Sequence, residues 1–122
     1  MFSRNSKKEL PWTRLTSVEQ LHEILNKAEE NPILFFKHST RCATSMMVLR
    51  SFESSWSSDD NLCELYFLDL LKHRDVSNEI SARTGVVHQS PQVIVLRGNS
   101  IVYENAHSGI DANKIESLLI KG

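Results

Sequence analysis

Hydrophobic positions along the chain switch repeatedly between helical spacing and short unbroken runs. Val18, Leu21, Ile24, Leu25 and Ala28 recur at intervals of three and four, with Glu19, Glu23, Lys27 and Glu30 between them, which predicts an amphipathic helix. Thr16-Ser17-Val18-Glu19 supplies a Thr-x-x-Glu capping box at its start, and Asn31-Pro32 stops it. Ile33 to Phe36 is apolar without alternation and suits a strand covered on both faces of a parallel sheet, with Lys37 and His38 leading out of it. Ser39-Thr40 is then the expected cap of a second helix, whose buried stripe reads Met46, Leu49, Phe52 and Trp56. The adjacent Met46-Met47 pair reads as core packing.

After a polar loop at Ser57 to Asn61, Leu62 to Leu70 predicts another covered strand with Asp69 near its end. Asp75 is the expected cap of a short third helix carrying Val76 and Ile80, and Gly85 stands where a left-handed helix terminus favours a residue without Cβ. Gln92 to Leu96 and Ile101 to Tyr103 flank Gly98-Asn99, a glycine-first hairpin signal. Ile110-Asp111 introduces a last helix with Ile115, Leu118 and Leu119 on one face, and an edge strand near Trp12 can precede the series. Helix-connected strands need right-handed crossovers, which place helices on both faces of one sheet. The predicted fold is therefore an α/β three-layer α/β/α sandwich, its central mixed sheet ending in a β-hairpin and a C-terminal helix, the element order of thioredoxin-like domains.

Length and composition narrow the function classes. The 122 residues fit a polar leader over 1–11 and a single domain over 12–122. With 40% hydrophobic residues, 24% charged residues and a formal net charge of -1, nothing points to disorder, and the scattered basic residues form no stripe for nucleic acid. No run approaches the roughly 18 apolar residues that span a bilayer, so no membrane role is expected. The leader has no apolar segment of the signal-peptide kind, and a cytoplasmic location follows as the expectation. In such a reducing compartment Cys42 and Cys63 are expected to be free thiols.

The candidate chemistry centres on Cys42, just after a buried strand and at the start of a helix, in the run His38-Ser39-Thr40-Arg41-Cys42-Ala43-Thr44-Ser45. Unpaired amide donors and the positive helix end favour a thiolate there, and no acidic residue stands between Glu30 and Glu53 to oppose it. Arg41, Thr44 and Ser45 are the candidate thiolate-stabilising residues. Ser45 occupies the place of the second cysteine of a Cys-x-x-Cys dithiol, so a captured adduct has to await an external thiol. The plainer alternative for Cys42 is a small space-filling residue, and Cys63, set in an apolar strand, reads as a packed hydrophobe. Ser90-Pro91 precedes the hairpin strand, where a cis bond can hold a tight loop against the cysteine, and Ser90, Pro91 and His38 are the candidate substrate-binding residues. Histidines 22, 38, 73, 88 and 107 show no metal-ligand spacing with either cysteine; His38 and His88 lie on connections expected near Cys42.

Phe36 to Cys42 with Ser45, followed by His88-Gln89-Ser90-Pro91-Gln92, resembles the bacillithiol-system YtxJ family of monothiol bacilliredoxins, over about Trp12 to Leu119. That resemblance implies a thioredoxin fold, removal of bacillithiol from protein mixed disulfides, Cys42 as nucleophile and Ser90-Pro91 as the cis-proline loop. It implies no bound cofactor, bacillithiol as co-substrate, and thiol-modified cytosolic proteins as partners. Relatives often place proline directly after the cysteine, where Ala43 stands here. Two rival classes are a non-catalytic thioredoxin-fold binding or adaptor module, prompted by the missing second cysteine, and an iron-sulfur carrier of the monothiol glutaredoxin sort. Against the carrier, the Gly-Phe of a Cys-Gly-Phe-Ser motif is replaced by Ala43-Thr44.

Overall fold

Alternation of side chains between the two faces of the sheet decides the layering. In the computed structural model, which describes residues 10–29, 31–57 and 62–121, the elements run β1 (Thr13–Arg14), α1 (Val18–Asn26), β2 (Ile33–His38), α2 (Ala43–Ser55), β3 (Glu64–Asp69), α3 (Arg74–Thr84), β4 (Gln92–Arg97), β5 (Ser100–Ala106), a 3-10 turn (His107–Gly109) and α4 (Ala112–Lys121). Most of the predicted leader lies outside the described residues. The five strands order as β1-β3-β2-β4-β5. β1, β3 and β2 are parallel, β4 runs antiparallel to β2, and β5 returns antiparallel to β4.

Ile33 and Phe35 of β2 face one core with Leu21 and Ile24 of α1 and Val76 and Ile80 of α3. Leu34 and Phe36 face the other, with Phe52 of α2 and Ile115 and Leu119 of α4. A six-residue strand with every residue buried is what a central position between two helical layers demands. Each such aromatic or aliphatic side chain contributes about 1.5–3 kcal/mol on burial. Trp12, just before β1, packs its ring against Phe36, Phe52 and Phe67, and its indole N–H donates to Glu53 at 2.7 Å.

Several boundaries differ from expectation, each for a local reason. The cap of α1 is Ser17, which accepts from the Gln20 amide at 3.0 Å while the Gln20 side chain accepts from Thr16 N at 2.8 Å. A Ser17 cap one residue on, with Gln20 reaching back to Thr16 N, displaces the expected Thr-x-x-Glu box. α1 ends at Asn26, although Ala28 beyond it stays buried. The N-cap position of α3 is His73 and Asp75 lies in the first turn, while Gly85 closes the helix in the left-handed region at φ +76° as expected. Gly98 opens the β4–β5 turn at φ +63°. β3 begins at Glu64 rather than Leu62. Met46 and Met47 are 37% and 71% exposed, so the expected core pair sits on the surface; the buried residues of α2 are Ser45 and Phe52, with Trp56 at its C-cap.

Candidate active site

The start of α2 is set by Cys42 itself. Its backbone is extended, at φ -106° and ψ 118°, and it occupies the N-cap, so Ser39-Thr40 form the turn before the helix instead of its cap. The Cys42 N–H donates to Ser39 O at 3.2 Å and its carbonyl accepts from Met46 N at 3.2 Å. The side chain makes no capping hydrogen bond, and the thiol is exposed. No acidic residue occupies the first turn, and Arg41, Ala43 and Thr44 are exposed around the sulfur. The thiol thus stands at the amino end of a helix with no carboxylate from that turn beside it.

Ser45 faces inward. It is fully buried, its hydroxyl accepts from Ser39 N at 3.2 Å, and it lies 2.9 Å from His38 Nδ1. His38 is the last residue of β2 rather than part of a connection, and only 1% of it is exposed. Its ring centroid stands 5.2 Å from that of Phe67. Burial pushes its pKa below the ordinary histidine range, with the Asp69 carboxylate pulling the other way. The Ser45 hydroxyl therefore ties the end of β2 to the start of α2, fixing the turn that carries the cysteine.

The second half of the site follows from strand register. Lys37 pairs with Gln92 across the antiparallel β2–β4 ladder, so the next residues outward, His38 and Pro91, lie side by side at about one strand spacing. The turn holding Cys42 and the loop before β4 consequently leave the same end of the sheet. The Ser90-Pro91 bond is cis. Pro91 is buried and its carbonyl accepts from His107 N at 2.9 Å. The buried Gln92 amide donates to Val87 O at 2.9 Å, and Gln89 Oε1 lies 3.1 Å from His107 Nε2. Among the described residues the buried Ser90 hydroxyl oxygen has no partner.

The sequence pattern concealed one cluster. Lys37 is fully buried on the α3 side of β2, its ammonium donating to Ser77 O at 3.2 Å, Ser81 Oγ at 3.3 Å and His88 Nδ1 at 3.3 Å. Ser77 Oγ lies 3.1 Å from the same His88 nitrogen. Desolvation pulls the Lys37 pKa down to about 8. The signal was available: Lys37 continues the 33-35-37 face of a strand whose other members are core residues. Cys63 sits in the opposite core at 5% exposure, where burial, with Glu116 and Glu64 nearby, pushes its thiol up to about 12.

Residues 13–115 match the family described as monothiol bacilliredoxin BrxC. The chain belongs to that family. A solved structure described as an oxidoreductase with a thioredoxin fold superposes with a TM-score of 0.71 at 25% identity, covering 86% of this chain and 90% of the other. Thioredoxin from Schistosoma mansoni gives 0.67 at 15% identity with 95% of each chain covered. Malassezia sympodialis thioredoxin gives 0.67 at 11% identity with 93% and 92% covered. At those lower identities the likeness establishes the fold. Family and fold together support a redox thiol function.

Proposed function

We propose that this protein removes bacillithiol from protein mixed disulfides through Cys42, in the cytoplasm. The Cys42 thiolate attacks the small thiol's sulfur; the Cys42–sulfur bond forms, the mixed disulfide breaks, and the protein thiolate leaves. A second low-molecular-weight thiolate then attacks the sulfur of the captured thiol, giving a small-molecule disulfide and restoring the Cys42 thiolate. The helix amides, Arg41 and the exposed Thr44 support the anionic sulfur, while Ser45 acts by holding the turn through His38. The Ser90-Pro91 backbone positions the incoming chain. Thiol-modified cytosolic proteins are the partners, and no resident cofactor is invoked.

The observation that carries this reading is where the two thiols stand. Cys42 is exposed beyond the carboxyl end of β2, whereas Cys63 is buried before the amino end of the parallel neighbour β3. A six-residue strand separates those levels, roughly 16–20 Å at about 3.3 Å per residue. That exceeds the reach of a disulfide, whose Cα atoms lie within about 7 Å. Capture on Cys42 is therefore not followed by internal release.

Turnover of a bacillithiolated protein, with excess bacillithiol as the second thiol, is the test. Cys42→Ala is expected to abolish it and Cys63→Ala to leave it within about twofold. Retained turnover in Cys42→Ala would overturn the proposal, and a Cys42→Ala protein that still holds its partner without any wild-type turnover would support the adaptor class instead.

A further inference from the structure

The buried cluster behind the Ser90-Pro91 loop ends in one solvent-facing donor. A lysine ammonium can only donate hydrogen bonds, so the 3.3 Å contact from Lys37 Nζ makes His88 Nδ1 an acceptor. The Ser77 hydroxyl lies 3.1 Å from the same nitrogen. A neutral imidazole whose Nδ1 accepts carries its proton on Nε2. Burial together with the positive charges of Lys37 and Arg74 lowers the His88 pKa and keeps that neutral form in place. His88 is nevertheless an exposed residue, and among the described residues its Nε2 has no hydrogen-bond partner.

We propose that His88, oriented by Lys37 and Ser77, forms with Arg74 the subsite that receives the carboxylate of the low-molecular-weight thiol during exchange at Cys42. This inference rests on the functional reading above and adds the part of the small thiol that is recognised. Two observations point to an anion and a third places it near the exchange site. The Nε2–H is a fixed, unengaged donor. The charged groups acting on His88 are both cations, Lys37 from β2 behind it and Arg74 from the first turn of α3 beside it. The loop that carries His88 also carries Ser90-Pro91, which register places next to the β2–α2 turn.

Lys37 and His88 lie on the α3 side of the sheet, whereas α2 and Cys42 belong to the other side. His88 thus stands on the far side of the Ser90-Pro91 loop from the α2 layer. It is suited to hold the distal end of a thiol bonded to Cys42. Lys37, fully buried, acts through His88 and is a positioning residue.

The experiment compares one carrier peptide as its mixed disulfide with bacillithiol, whose malyl group bears carboxylates, and as its mixed disulfide with cysteamine, which has none. His88→Ala is expected to raise KM for the bacillithiol adduct about tenfold with kcat unchanged, and to leave the cysteamine adduct within about twofold. His88→Gln, whose amide N–H can take the place of Nε2–H, is expected to recover most of the loss, and Arg74→Gln to shift KM in the same direction as His88→Ala. Equal KM changes on both adducts, or none on either, would overturn the subsite while leaving exchange at Cys42 standing. If wild type exchanges neither adduct, the functional reading itself fails, an outcome distinguishable because it precedes any comparison of variants.

Discussion

At the scale of single residues, Lys37 shows how a buried charge is accommodated without an acidic partner. Its ammonium is held by a carbonyl, a hydroxyl and an imidazole, all of them neutral acceptors, and desolvation brings its pKa to about 8. Between that value and the ordinary lysine range the unfolded chain keeps a proton that the folded chain has released. Stability contributed by this site therefore rises with pH across that window. Cys63 and Tyr66 act in the opposite sense at high pH, because burial keeps their protons on in the folded state. The difference between wild type and Lys37→Met isolates the lysine. In urea titrations from about pH 7 to about pH 10, wild type should gain up to about 2 kcal/mol relative to the variant. A difference that stays flat over that range would show that Lys37 is not desolvated.

At the scale of elements, the start of α2 leaves a capping bond unmade. Cys42 fills the N-cap without capping, where serine, threonine, asparagine or aspartate would accept an amide proton. Cys42→Ser should therefore unfold at a higher denaturant concentration than Cys42→Ala, by about 1 kcal/mol. Identical stabilities would mean that position 42 is not the cap. The end of α3 makes the converse case: Gly85 sits at φ +76° with nothing within 4 Å of where a Cβ would be, so only backbone conformation is at stake. Gly85→Ala should cost about 1–2 kcal/mol in thermal or urea unfolding, and no cost would place that residue outside the left-handed region.

These elements also show what the sequence could reveal. The unbroken run Ile33 to Phe36 announced a strand covered on both faces, and Gly85 and Gly98 announced left-handed turns, because each depends on a local property of the chain. The cap positions slipped because Thr16-x-x-Glu19 and Ser17-x-x-Gln20 overlap and only packing of Leu21 and Ile24 selects the register. Lys37 and His38 read as leading out of the strand because polar residues after an apolar run usually end one. Here their burial depends on partners distant in sequence: Ser77 and His88 for Lys37, and the Ser45 hydroxyl seven residues on for His38. Met46 matched the helical stripe in spacing yet faces outward, since period alone does not tell which of two adjacent stripes the core covers.

At the scale of the whole molecule, the fold separates an exposed thiol from a buried one by the length of a strand. Because β2 and β3 are parallel, their β-to-α turns leave one end of the sheet, and the antiparallel β4 delivers its leading loop to that same end. Cys42, Ser90-Pro91 and His88 meet there by topology, while Cys63 is consigned to the far end within a core lined by Phe36, Phe52 and Trp56. Among the described residues no helix is long and apolar enough to cross a membrane. The most direct test of the account is peptide-mapped mass spectrometry of the full chain after mixing with one equivalent of a bacillithiolated protein and no free thiol. Bacillithiol is expected on Cys42, with a released partner and an adduct that persists until thiol is added. An intramolecular Cys42–Cys63 disulfide, or an adduct found on Cys63 alone, would contradict it.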